Sequence, residues 1–201
     1  MEYITVMTQT NEFREEERDP VVLACQQGDQ DAFRHLVEKH QQRVYSLALH
    51  FTGNEATARD IAQQVFLKLL TRIHQFQWQS TFQTWLYRLV ANTCYDEQRR
   101  WRRWLPFQDA AEDTHWPASE NLEVNLHRQE VALAVQVAIR SLSPKLRMPI
   151  LLKYIEGMSY EEIGQVLGCS MGTVASRLNR GHKVLADKLG YLREKLERED
   201  V

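Results

Sequence analysis

Ser159-Tyr160-Glu161-Glu162-Ile163-Gly164-Gln165-Val166-Leu167-Gly168-Cys169-Ser170-Met171-Gly172-Thr173-Val174-Ala175-Ser176-Arg177-Leu178 is the stretch that decides the fold. Ser159 and Glu162 stand three apart, the spacing of a capping box, in which hydroxyl and carboxylate satisfy two helix-start amides reciprocally. The helix that begins there is short and stops at Gly168. After a tight turn a longer one runs from about Met171 to Leu189. Helix, glycine turn, helix is the spacing of a helix-turn-helix. Stepping about 100° per residue along the second helix groups Val174, Leu178, Gly181 and Leu185 as the packed face. Thr173, Ser176, Asn179, Arg180 and Lys183 gather on the other side. Short polar and basic side chains suit a major groove, where Arg pairs with guanine and Asn with adenine. Arg177 lies on the flank, better placed for a phosphate. Spacing by itself also admits an ordinary solvated face.

Moving toward the N-terminus, the segment from about Thr81 to Trp104 reads as a helix with a second basic face. With Arg88 at zero, Asn92, Tyr95, Arg99, Arg102 and Arg103 fall within about 60° of it, and Phe82, Leu86, Leu89, Val90 and Thr93 oppose them. Arginines interleaved with Tyr95 and ending in Trp101 and Trp104 suit phosphate tracking with stacking platforms. The alternative is a charged surface with tryptophans folded back onto the core. The preceding loop, Phe76-Gln77-Trp78-Gln79-Ser80-Thr81, adds another exposed-looking aromatic, Trp78. One helix earlier, Ile61, Ala62, Val65, Phe66, Leu69 and Ile73 form a packed side, while Asp60, Gln63, Gln64 and Thr71 oppose it around Leu67. A lone exposed leucine is commonplace. Ringed by hydrogen-bonding side chains, it also has the look of a protein contact's centre, and spacing leaves these readings equal.

The remaining signals set the organisation. The chain has 201 residues, with 25 Lys plus Arg against 27 Asp plus Glu, a formal charge of −2 that excludes a uniformly basic nucleic-acid coat. With 8 Gly and 5 Pro it is poor in the turn residues an all-β chain needs. We therefore expect an all-α protein of two small helical domains joined by a flexible linker. Residues 1–18 read as a disordered acidic tail. Asp19-Pro20 caps a short helix ending at Gly28. A second helix from Asp29 buries Phe33, Leu36, Val37, His40, Val44, Leu47, Ala48 and Phe51. Asn54 caps the third, and the Thr81–Trp104 helix closes a first domain over 19–104. Pattern dissolves over the acidic linker, 105–125, and returns at Val131, Val135, Ala138 and Leu142 in a second domain over 126–190. Ser143-Pro144 restarts a helix to Gly157, kinked at Pro149. A charged tail, 191–201, follows. No apolar run approaches the roughly 18 residues of a membrane helix, and Met1–Arg18 lacks a signal-peptide pattern. Cys25, Cys94 and Cys169 are scattered, as in a reducing cytoplasm, and each lies in or beside an apolar stretch that favours a buried thiol. Zinc-ligand spacings are absent, so neither metal nor cofactor is expected.

These segments in this order resemble the extracytoplasmic-function (ECF) sigma factors of the sigma-70 family, over about residues 19–190. The resemblance rests on Asp60-Ile61-Ala62-Gln63-Gln64-Val65-Phe66-Leu67-Lys68, on Phe82-Gln83-Thr84-Trp85-Leu86-Tyr87-Arg88 with Ala91-Asn92, on Leu152 through Gly164, and on Gly172 through Leu178. It implies that the first domain is region 2, which binds the clamp helices of the largest RNA polymerase subunit and opens the promoter −10 element. Asp60, Gln63, Gln64 and Leu67 match the polymerase-binding segment. Relatives commonly carry glutamate at Gln64; an amide keeps the hydrogen-bond acceptor and forfeits the charge. The Phe76–Thr81 loop, with Phe76 and Trp78, and Asn92 match the pocket for a base flipped from the non-template strand. Extruding a base costs a few kcal/mol, so stacking and edge hydrogen bonds must offset it. Arg88, Tyr95, Arg99, Arg102 and Arg103 would hold that strand. The second domain would be region 4, reading the −35 element through Thr173, Ala175, Ser176, Arg177, Asn179, Arg180 and Lys183. Ala175 and His182 stand where relatives often carry longer basic side chains. The resemblance also implies an anti-sigma factor as partner, promoter DNA bound only with polymerase, no catalysis, and a cytoplasmic protein that an anti-sigma factor holds, in some relatives, at the inner membrane.

Two other function classes compete. A free-standing helix-turn-helix regulator with an N-terminal sensing or dimerisation domain would bind its operator without polymerase. A small helical enzyme would need a convergent acid-base or metal set. His35 and His40 are five apart, and His40 falls on the packed face, where a core histidine is the simpler reading.

Overall fold

The computed structural model describes residues 19–104 and 124–199. The expected tail 1–18 and nearly all of the expected linker lie outside the described residues. Among those described, the regular structure is eight α-helices and one 3₁₀ turn. In chain order they are α1 (Pro20–Gln26), α2 (Gln30–Thr52), α3 (Glu55–Arg72), the 3₁₀ turn (Ile73–Gln75), α4 (Phe82–Trp104), α5 (Val124–Ser141), α6 (Pro144–Tyr154), α7 (Tyr160–Leu167) and α8 (Met171–Glu199).

Helix starts follow the cap chemistry. Asp19 accepts the Val21 amide at 2.9 Å, Asp29 the Asp31 and Ala32 amides, and Asn54 the Thr57 amide at 2.9 Å. Each satisfies an amide that the first helical turn leaves without an intrahelical partner. The Ser159–Glu162 capping box is complete in both directions. Ser143 occupies the cap position of α6 without a side-chain bond, so proline at the first helical position sets that start alone.

Two expected boundaries shift. Helix α6 ends at Tyr154 rather than Gly157, and the chain turns through Gly157 in a left-handed conformation. Pro149 lies buried inside α6, which runs on through it. The last helix continues to Glu199, so most of the segment expected as a charged tail is helical backbone. Its many Glu, Lys, Arg and Leu residues are good helix formers, which propagate a helix already nucleated upstream.

The predicted apolar faces are the buried ones. Leu36, Val44, Leu47 and Phe51 of α2 meet Ile61, Val65 and Leu69 of α3 and Leu86 and Val90 of α4. His40 is buried among them, its ring 5.5 Å from that of Phe82, and burial pushes its imidazole below the ordinary value. In the second unit, Ile150, Leu151, Ile163, Val166, Val174 and Leu178 form the core. Gly181 permits the close crossing of α8 over α6: a Cβ there would lie 3.1 Å from Ile150 Cγ1. The units also touch, α4 packing on α7 and α2 on α5 and α6.

Candidate functional site

Three polar faces matter, and the core behind each is what aims it. On α8, Val174 and Leu178 point into the second unit, which turns Ser176, Asn179, Arg180 and Lys183 outward, all exposed. Thr173 and Ala175 are half-buried. Ser170 holds the helix start, accepting the Thr173 amide at 3.3 Å and pairing with its hydroxyl at 3.0 Å. Arg180 folds back so that Nη2 donates to Ser176 Oγ at 2.9 Å, which pre-positions its guanidinium along the stripe. Arg177, on the flank, is half-buried, with Nη1 donating to Cys169 Sγ at 3.7 Å. Cys169 is accordingly half-buried rather than buried, while Cys25 and Cys94 lie in the core.

The second face belongs to α4 and its preceding loop. Leu86, Leu89, Val90 and Thr93 are buried as the helical spacing predicts. Asn92, Arg99 and Arg103 are exposed; the side chain of Arg102 lies outside the described residues. Arg99 donates to Asp96 at 2.6 Å, an exposed pair of small worth that a phosphate can replace. Phe76, which the resemblance places in the base pocket, is 3% exposed and sits in a cluster with Trp78, Phe82 and Trp85, so it backs the loop rather than lining an open surface. Trp78 is half-buried, 4.9 Å from Phe76, and adopts φ 56°. That left-handed backbone costs a bulky residue about 1–2 kcal/mol. What holds it is Gln26 of α1, whose Nε2 donates to Ile73 O at 3.0 Å and to Phe76 O at 2.8 Å, while its Oε1 accepts Trp78 Nε1 at 3.2 Å. Gln26 therefore shapes the loop, and no local signal reveals it, because its partners lie about fifty residues away.

Tyr95 and Arg88 are not free on this face. Tyr95 is half-buried with its ring edge 5.9 Å from Phe51, and burial pushes its hydroxyl up to about 12. Arg88 Nη2 donates to the Gln165 carbonyl of α7 at 2.6 Å.

The third face, on α3, is open. Asp60 and Gln63 are exposed, Gln64 is half-buried, and Leu67 is 56% exposed. Leu70, at 53%, is a second exposed leucine that the reading above passes over. The signal was available, since Leu70 lies seven residues after Gln63 and so shares its face. Lys68 ties α3 to α4 through Thr93 Oγ1 at 2.9 Å, which holds this face at a set angle to α4.

Among the described residues no group of three or more His, Cys, Asp or Glu is placed to hold a metal ion. Nor is any described helix long and apolar enough to cross a membrane.

Comparison with known proteins gives the class. The sigma-70 region 2 family model matches residues 36–104, and the sigma-70 region 4 model matches residues 132–185. The chain belongs to the sigma-70 family, the initiation factors that direct RNA polymerase to promoters. Within it, the chain is a member of the ECF group. It is 32% identical to the ECF RNA polymerase sigma factor SigW of Bacillus subtilis, covering 84% of this chain and 94% of that one. The ECF RNA polymerase sigma-E factor of Escherichia coli K12 is 33% identical over 84% of this chain and 92% of that one. SigE of Mycolicibacterium smegmatis is 38% identical over 81% of this chain, which spans only 64% of that longer relative. Among solved structures, CnrH in complex with the cytosolic domain of CnrY aligns with a TM-score of 0.64 at 27% identity, covering 85% of this chain and 96% of that one. The region 2 match displaces the free-standing regulator, because that reading left the first domain's faces without a role.

Proposed function

We propose that α3 docks this chain on core RNA polymerase through Asp60, Gln63, Gln64 and Leu67, with Leu70 extending the apolar centre. The observation that carries this is the pair of exposed leucines within a polar face, on a helix whose opposite side buries Ile61, Val65 and Leu69. Such an arrangement gives a partner an apolar anchor with a hydrogen-bonding rim. The −10 strand would lie along α4, its flipped base held by Asn92 and the Trp78 loop, with Phe76 as the buried backing of that loop. Arg88, Tyr95, Arg99, Arg102 and Arg103 would take the backbone. The −35 element would be read by Asn179, Arg180 and Lys183 with Thr173, Ala175, Ser176 and Arg177 at the helix start and flank. Phosphate contacts at both ends give affinity that falls with salt, and base contacts give the choice of promoter. The protein positions and opens DNA and carries out no bond chemistry of its own; transcription takes place in the cytoplasm. CnrH is seen with the cytosolic domain of CnrY, and this chain fits a masking anti-sigma partner of the same kind.

The test is capture of purified core polymerase by the full chain, with Leu67→Arg as the control. Wild-type binding at about sub-micromolar Kd, weakened at least roughly tenfold by Leu67→Arg, is the expected result. Failure of the folded wild-type chain to bind core polymerase would overturn it.

A further inference from the structure

Helix α1 carries none of the residues assigned above to polymerase or DNA, and it lies before residues 36–104 that the region 2 model matches. Val22 and Cys25 fix it in the core. Its last residue, Gln26, commits its whole side-chain amide to the Trp78 loop. The two N–H groups of Nε2 reach Ile73 O at 3.0 Å and Phe76 O at 2.8 Å, and Oε1 accepts from Trp78 Nε1 at 3.2 Å. Carbonyls only accept and an indole N–H only donates, so the amide can face the loop in one orientation. The three bonds join the 3₁₀ turn, the start of the loop and its tip. Among the described residues Trp78, at φ 56°, is the one non-glycine with positive φ. Such conformations persist where the surroundings over-determine them, and they gather at ligand clamps. The Phe76 ring, 4.9 Å from that of Trp78, backs the tip from the core side, with Trp85 behind it. With Trp78 held inward, its two neighbours are exposed, and Gln79 Nε2 donates to Gln77 Oε1 at 3.1 Å. Position 26 thus calls for glutamine. Asparagine is a methylene too short, glutamate would set a carboxylate against two carbonyl oxygens, and methionine offers no N–H at all.

We propose that Gln26 is a positioning residue for the flipped base: without touching the strand, it fixes the Trp78 loop and so sets which base the pocket accepts. This rests on the reading of Asn92 and the Trp78 loop as that pocket. A base swung out of the stack is chosen by stacking and by hydrogen bonds to its edge. Both require groups held to within about 0.5 Å of the productive geometry. A loop released from α1 still offers aromatic surface but no longer presents one arrangement of polar groups, so discrimination between bases is lost. Removing Gln26 therefore acts on base choice and leaves polymerase docking through α3 intact.

The full chain is labelled with fluorotryptophan, and the Trp78 fluorine resonance is assigned with Trp78→Phe. A single line is expected in the free wild-type chain, moving or broadening in Gln26→Met, whose side chain has the same length; circular dichroism checks the fold. Gln26→Glu, which keeps the shape and loses both donors, serves if the methionine variant does not fold. Holoenzyme assembled with core polymerase is then presented with four versions of a promoter that wild type opens, differing only at the flipped position of the non-template strand. Wild type should favour one base by at least roughly tenfold, and Gln26→Met should reduce that to about threefold or less, with capture of core polymerase unchanged. Asn92→Ala tests the pocket itself. Loss of base choice in Asn92→Ala but not in Gln26→Met would overturn the role of Gln26 and keep the pocket. Loss in neither would overturn both. Equal weakening on all four promoters, with the Trp78 resonance unmoved, would make Gln26 a purely structural residue and overturn the proposal.

Discussion

Helices α4 and α8 each carry a basic stripe found by the same arithmetic, and the structure treats them differently. On α8 the stripe of Ser176, Asn179, Arg180 and Lys183 stays in solvent. On α4 the stripe is shared out: Asn92, Arg99 and Arg103 are exposed, Arg88 is exposed but bonded to Gln165 O, and Tyr95 is half-buried against Phe51. Periodicity identifies the side of a helix that faces away from its own domain's core. It does not reveal what else lies on that side. On α4 that side meets α7 of the second domain.

The largest effects test whether the two stripes rest on equally firm cores. Leu178→Ala behind the α8 stripe and Leu86→Ala behind the α4 stripe each remove a leucine about 1% exposed. Each should cost about 2–5 kcal/mol in denaturant unfolding. A much smaller cost at Leu86 would mean that α4 is held from the other domain rather than from behind. Next, Arg180→Ala should lose about 1–3 kcal/mol of discrimination at a −35 base pair, measured by competition between promoter fragments for the assembled holoenzyme. Uniform weakening across sequences would instead make Arg180 a phosphate contact, the role given to Arg177 on the flank. Smaller again is the contrast between two serine caps. Ser159→Ala should cost about 1 kcal/mol of thermal stability, and Ser143→Ala only a few tenths, because Ser159 makes its capping bonds and Ser143 makes none. The smallest effect is one of pH. Burial, with help from Lys39 and Arg43, lowers the His40 pKa below the ordinary imidazole value of about 6.5. The folded state thus binds a proton less readily than the unfolded chain. Stability from the neutral ring is present above about pH 6.5 and is lost as pH falls through the lowered folded value. Thermal melts from pH 7.5 down to 5 should show this slope, and His40→Phe, keeping the contact with Phe82, should flatten it.

Much of this molecule was legible from local chemistry. The caps at Asp19, Asp29, Asn54 and Ser159, the packed faces of α2, α3 and α8, and the burial of His40 follow from groups within a few residues of one another. The exposed Leu67 was visible too, and Leu70 would have been had the same stepping been carried one turn further. Other features had no local signature. Phe76 belongs to an aromatic cluster whose members come from a loop and the start of α4, so its burial depends on how the loop folds back. Gln26 reaches Trp78 across a separation of 52 residues. Arg147 reaches Phe51 across 96.

The sequence by itself determined the all-helical class, the helix starts and the core-facing side of each helix, because these depend on side-chain periodicity and hydrogen bonds spanning at most four residues; the two sigma-70 regions were legible only through the resemblance of its motifs to that family. Only the tertiary structure decided that Phe76 is core, that Gln26 sets the Trp78 loop, and that the end of α2 is capped from the other domain. Those outcomes depend on which unsatisfied carbonyl or aromatic face is brought within hydrogen-bonding or van der Waals reach when distant segments meet.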